Sequence, residues 1–243
     1  MQVYLNRIDG WDDAILTMFY SKRTVTRELE KEIRDLAYRC TNNNPNVDVI
    51  GSLSKPNDTF ADHLNKLFKW CPQHITMGRF LDFSFTVYGL HRGGQDDWDA
   101  HAYRFNNRII RSSTRLANFE HGEVSQYYQD KIIPTDTALA LLGITTPDEI
   151  EHNGQIYVKG VNGYILKGME NNKDAKRGLY MLSIPSNFIF RINLTEFAHV
   201  YKERNESGTA NPEVKKACED MLRQLEEASC GYINRDLLMK IKN

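Results

Sequence analysis

The sequence predicts an α/β protein, and three observations carry that prediction. Leu81, Phe83, Phe85 and Val87 alternate with Asp82, Ser84 and Thr86, the period of a half-buried strand. Leu29, Ile33, Leu36, Ala37 and Cys40 recur at helical spacing behind Thr26, a residue suited to capping a helix, with Glu28 and Glu30 in the first turn. The 243 residues are ample for a buried core and fit one domain, 1–243, with no internal repeat, low-complexity tract or linker.

In chain order, residues 2–8 read as a first strand and 9–20 as a short helix on Ile15, Leu16 and Phe19. The Thr26 helix stops at the Asn- and Pro-rich loop 41–46, and a third helix over 59–70 rests on Phe60, Leu64, Leu67 and Phe68. His74 lies just ahead of the 81–87 strand. Residues 91–97 (HRGGQDD) read as a polar loop before a basic helix over 98–119. On that helix Arg104, Arg108, Arg111 and Arg115, spaced by four, three and four, share one face, as a phosphate track or a seam between subunits. A short apolar helix around 138–142 ends at Gly143, and a hairpin over 157–167 turns at Asn162-Gly163. Asn193 opens a helix that reaches Arg204, and Asn211 with Pro212 opens the last one on Val214, Ala217, Met221, Leu222 and Leu225.

A hydrophobic share of 41%, a charged share of 26% and the lack of a long apolar run or signal-peptide pattern describe a cytoplasmic protein rather than a membrane or exported one. Net charge is −1, so no broad basic field points to nucleic acid and any anion site must be local. Cys40, Cys71, Cys218 and Cys230 form no C-x-x-C pair and are packing residues. There is no G-x-G-x-x-G, P-loop, G-x-S-x-G or H-E-x-x-H, and the seven histidines show no metal-ligand spacing. The candidates that remain are Arg177, Asn193 and Arg204, which are expected to converge on one cleft, because guanidinium forks bind phosphate and planar carbonyl groups bidentately.

Arg177, then Asn193-Leu194, then Arg204, then Ala210-Asn211-Pro212-Glu213-Val214 resembles the C-terminal signature of the flavin-dependent thymidylate synthases. Gln73-His74-Ile75-Thr76 before Phe83-Ser84-Phe85 is similar to that family's G-H-x-[ST]-x-x-E-H-x-x-F-x-F segment, and Ser113-Thr114-Arg115 to its S-x-R. Arg79-Phe80 stands where the family has Glu-His, Thr195 replaces the arginine of N-L-R, and Arg104 alone answers to R-H-R.

The resemblance implies a single domain with a central, mainly antiparallel sheet flanked by helices, assembled as a homotetramer with sites at subunit interfaces. It implies FAD as cofactor and reductive methylation of dUMP, with methylenetetrahydrofolate as one-carbon donor and NADPH as reductant. By the same resemblance His74 and Arg204 are catalytic, Ser113, Arg115, Arg177 and Arg204 bind the nucleotide, and Thr76, Arg104, Asn193 and His199 hold the flavin. The departures leave two further readings: an enzyme of the same scaffold acting on another pyrimidine nucleotide, or a nucleotide-binding protein without FAD and without turnover.

Overall fold

The computed structural model describes residues 1–22, 24–41, 48–105, 108–111, 124–160, 162–172, 179–180, 182–206 and 211–242, with 99–105, 108, 109 and 111 described by backbone alone. Strand β1 (Gln2–Asp9) leads into helices α1 (Trp11–Ser21), α2 (Arg27–Cys40) and α3 (Asp58–Trp70) and a one-turn helix α4 (Ile75–Gly78). Then come β2 (Asp82–His91), α5 (Arg92–Phe105), β3 (Arg108–Arg111), α6 (Thr135–Leu141), β4 (Glu149–His152), β5 (Gln155–Gly160), β6 (Gly163–Leu166) and β7 (Pro185–Asn193). The chain ends with α7 (Leu194–Tyr201), a π-helical turn (Lys202–Glu206), α8 (Pro212–Ala228) and α9 (Arg235–Lys240). One sheet has the order β1-β2-β7-β3, and a smaller antiparallel one has the order β4-β5-β6. The fold class expected from the sequence, antiparallel sheet flanked by helices, is the one observed.

Two compact units are distinguished: Gln2–Val87 with Trp98–Ile110 and Ile189–Asn243, and Met1 with Tyr88–Asp97 and Arg111–Phe188. In the first, Phe83 and Phe85 point from β2 into the core, where both rings meet Phe197 of α7 at 6.1 and 6.0 Å and Phe85 stacks on Phe190 of β7 at 5.4 Å. Helix α8 covers β1, where the Gln224 side chain accepts from the Leu5 N–H and donates to the Val3 carbonyl. The expected caps are in place: Thr26 accepts from Leu29, Asn193 from Glu196 and Asn211 from Glu213.

In the other unit the expected 91–97 loop is helix from Arg92 onward. Arg92 and Gln95 are buried there and bonded to each other: Arg92 donates to Gln95 Oε1 at 3.3 Å, and Gln95 Oε1 also accepts from Ser186 Oγ at 2.7 Å. Tertiary hydrogen bonds override a sequence that reads as loop. The basic helix over 98–119 is corrected as well. Helix ends at Phe105 and Arg108–Arg111 is strand, so Arg104, Arg108 and Arg111 do not form one helical face, and Arg115 lies outside the described residues. The 157–167 hairpin is present with Gly160 opposite Gly163, closing one residue earlier than expected. It is joined by an unforeseen Asn153-Gly154 turn, with both φ values positive, that links β4 to β5.

Gly10 turns the chain from β1 into α1 at φ 88, and a Cβ there would lie 1.9 Å from the Phe80 carbonyl oxygen. Gly10→Ala is therefore expected to lower the unfolding free energy by more than about 2 kcal/mol in urea titration. An unchanged midpoint would show that this crossing is not tight.

Candidate functional site

The site is built on the seam between α4 and α7. His74 precedes α4, exposed, with its ring stacked on Trp70 at the end of α3, centroids 5.6 Å apart at 25°. Thr76 and Arg79 follow on the same turn, both exposed, and Arg79 forms no ion pair with a described residue. Thr195 Oγ1 donates to the Ile75 carbonyl at 2.7 Å, and the Leu194 N–H donates to the Leu81 carbonyl at 2.9 Å. The close approach depends on Gly78, where a Cβ would meet Thr195 Oγ1 at 2.7 Å and Cys71 Sγ at 3.1 Å.

Asn193 caps α7: its Oδ1 accepts from the Glu196 N–H at 3.0 Å, while the Glu196 carboxylate accepts from the Asn193 backbone and side chain. This reciprocal arrangement is a capping box. Glu196 is 5% exposed, and burial pushes its carboxyl from an ordinary 4.5 up to about 7; Asp82 adds to the rise, while the Asn193 hydrogen bonds and Arg79 act the other way. Asp82 is itself held by Arg191 at 3.3 Å, and the same guanidinium reaches Asp9 at 2.8 Å.

Further along α7, His199 is buried, and Arg204 stands half-buried on the π-helical turn. Helical segments of this type are rare and concentrate at functional sites. The turn is anchored by Asn205, which donates to the Tyr201 hydroxyl at 2.9 Å, by Glu206, which accepts from Arg235 at 2.7 Å, and by the Lys202 ammonium on the Ile241 carbonyl. Eleven residues separate Asn193 from Arg204, about 16 Å along a helix. Asn193 and Arg204 thus mark the two ends of one helix rather than one point. His74 and Thr76 lie at its N-terminal end, with His199 between the ends.

Ser113, Arg115 and Arg177 lie outside the described residues, and Arg104 falls on α5 by its backbone alone. Two residues of the seam were given no site role from sequence. Glu196 was legible as the partner three positions after a capping Asn193. Arg79 had no local signal, because its importance comes from the fold bringing it near Glu196. Burial pushes the Cys71 and Cys218 thiols each up to about 12, which disfavours the thiolate at both. No group of three His, Cys, Asp or Glu suited to a metal occurs among the described residues, and no described helix is long and apolar enough to cross a membrane.

No protein-family model and no curated protein matches the chain. Solved structures do. Thymidylate Synthase X (ThyX) from Helicobacter pylori with FAD and dUMP aligns over 98% of this chain and 99% of its own, at 13% identity and a TM-score of 0.57. A second Helicobacter pylori structure, flavin dependent thymidylate synthase ThyX complexed with FAD and dUMP, aligns over the same shares at 11% identity and a TM-score of 0.58. The chain shares their fold. At this identity the likeness fixes the architecture and leaves the chemistry to the residues.

The donors at the N-terminal end of the seam fit a phosphate-bearing cofactor: the Thr76 hydroxyl and the Arg79 guanidinium are both exposed on one turn. The Asn193 side chain is taken up by the helix cap, so Asn193 would contribute by shaping that end of α7.

Because the folded protein holds the Glu196 proton more tightly than the unfolded chain, this group's stabilisation is full below 4.5 and is lost as pH rises to about 7. Glu196→Gln is expected to remove that slope and to be more stable than the parent at alkaline pH by on the order of 2 kcal/mol. Urea midpoints of both proteins across this range check it. A difference between them that does not change with pH would contradict the buried, raised carboxyl.

Proposed function

We propose that this chain is an FAD-dependent enzyme of the thymidylate synthase type, carrying out reductive methylation of dUMP. The observation that carries the proposal is the combination of Arg204, half-buried on a π-helical turn after α7, with exposed Thr76 and Arg79 on the α4 turn that is bonded to the N-terminal end of α7, in a fold shared with structures that hold FAD and dUMP. The resemblance in sequence adds methylenetetrahydrofolate as donor, NADPH as reductant, a homotetrameric assembly and a cytoplasmic setting.

FAD, when bound, supplies the hydride chemistry. Thr76 and Arg79 would hold its anionic part. Arg204 would orient the pyrimidine and stabilise negative charge that develops on its carbonyl oxygens, an electrostatic role that needs no thiolate. That division agrees with the raised Cys71 and Cys218. His74, exposed and braced by Trp70, is the imidazole available for proton movement at the N-terminal end.

One observation favours a second reading, an enzyme of this scaffold for another pyrimidine nucleotide. Arg79 stands where the resembling family carries glutamate, Thr195 where it carries arginine, and Glu196 brings a buried carboxyl beside them. Charge at the seam is therefore redistributed.

Titration calorimetry tests both. The parent is expected to bind dUMP more tightly than dCMP, and Arg204→Ala to lose at least about tenfold in dUMP affinity while FAD occupancy is kept. A preference for dCMP would select the second reading. Unchanged dUMP binding in Arg204→Ala would remove Arg204 from the nucleotide site.

A further inference from the structure

A cavity lies behind His74, between the C-terminal ends of α1 and α3, with a volume of about 580 Å³. That size falls in the range of small-molecule sites. Thr76, Arg79, Asn193, His199 and Arg204 line none of it, and only His74 is shared with the seam. Met18, Phe19 and Met77 give it apolar walls, and Trp70 gives it an indole face.

Its polar lining is two lysines, two histidines and the Ser21 and Thr24 hydroxyls, with no Asp or Glu among the lining residues. Lys22 is held by the Trp70 ring, with Nζ 5.1 Å from the centroid, and pairs with no carboxylate among the described residues. Exposed contacts of that kind contribute roughly 0.5–1 kcal/mol, so Lys22 is readily recruited to an anion and leaves an aromatic face behind. Lys66, also exposed and outside any ion pair with a described residue, lines the same cavity.

His63 completes the set. Its ring meets Phe19 edge-on at 5.6 Å, and its Nδ1 is buried without a hydrogen-bond partner. A buried nitrogen left in that state costs about 1–3 kcal/mol, which a bound polar atom would recover. Burial, with Lys66 next, lowers the His63 pKa, so the imidazole favours its neutral form and the lysines carry the charge. Glu32 and Asp62 act on His63 in the opposite sense. The cavity therefore offers an apolar slot, the unpartnered His63 nitrogen and two ammonium groups, with the His74 ring and the Ser21 and Thr24 hydroxyls also on its walls.

We propose that this cavity is a binding site for a small aromatic monoanion, one or two fused rings bearing a single carboxylate, with the ring against Trp70 and the acid between Lys22 and Lys66. The inference stands on α1, α3 and the residue before α4 and does not require that the seam bind flavin or nucleotide.

The probe is 2-naphthoate, titrated calorimetrically into the full chain, with uncharged 2-naphthalenemethanol as the control. The expected result is saturable one-to-one binding of the carboxylate, at least about tenfold tighter than the alcohol, with Lys22→Gln/Lys66→Gln reducing it to the alcohol's level. Both lysines are exposed, so the double variant is expected to keep its fold, to be checked by circular dichroism. Trp70→Leu is expected to weaken both compounds. Repeating the titration with FAD at saturating concentration is expected to leave naphthoate binding unchanged. Absence of saturable binding, equal affinity for the two compounds, an unaffected lysine double variant, or displacement by FAD would each overturn the proposal. The flavin-free titration keeps its outcome separate from that of the proposed function.

Discussion

The hydrogen bond from Thr195 Oγ1 to the Ile75 carbonyl, 2.7 Å long, joins the helix that ends at Arg204 to the turn that carries His74, Thr76 and Arg79. It forms only because Gly78 presents no side chain to Thr195 and Cys71. Beneath the seam, Phe83 and Phe85 of β2 pack on Phe197 one turn into α7, so the same strand that fixes the core fixes where the helix begins. A helix is a ruler, and pinning its first turn determines where Arg204 stands at the far end. The π-helical turn then changes the angle at which Arg204 leaves the helix, while Asn205 and Glu206 tie that turn to Tyr201 and Arg235.

The electrostatics of the seam follow from burial. Asp9 and Asp82 share the Arg191 guanidinium, which leaves Arg79 facing outward and Glu196 inward with a carboxyl that favours its neutral form up to about pH 7. Thr195 contributes a hydroxyl that is consumed by the α4 carbonyl, so no cation stands at that position. The exposed positive charge of the seam sits on the turn with Thr76, at the end of the helix opposite Arg204. Two cationic groups at two ends of one helix suit two separate anionic ligands better than one compact one.

What the sequence made legible is what local chemistry decides. Thr26, Asn193 and Asn211 are caps because their side chains reach backbone N–H groups two or three residues ahead, and the alternation from Leu81 to Val87 is a strand because one face of it meets the core. What it hid depends on distant partners. Arg92 and Gln95 look like loop residues until Gln95 Oε1 accepts from both Arg92 and the distant Ser186, and the arginine spacing from Arg104 to Arg111 suggests a helix that the strand β3 replaces. The alternation of Ser186, Phe188, Phe190 and Ile192 was a strand signal, and Asn153-Gly154 a turn signal, that the sequence reading passed over. In the site, the cap Asn193 and the helix bearing Arg204 were legible; the influence of the Arg79 charge on the buried Glu196 was not, since the two lie far apart in sequence and are brought near each other by the fold.

The central claim is that the α4–α7 seam serves a flavin enzyme. Its most direct test is turnover by the purified full chain supplied with FAD, NADPH, methylenetetrahydrofolate and dUMP, with the flavin absorbance and the nucleotide product followed together. The account predicts a protein-bound flavin band that bleaches with NADPH under exclusion of air, and conversion of dUMP to dTMP. A protein that stays colourless after incubation with FAD and forms no dTMP would contradict it.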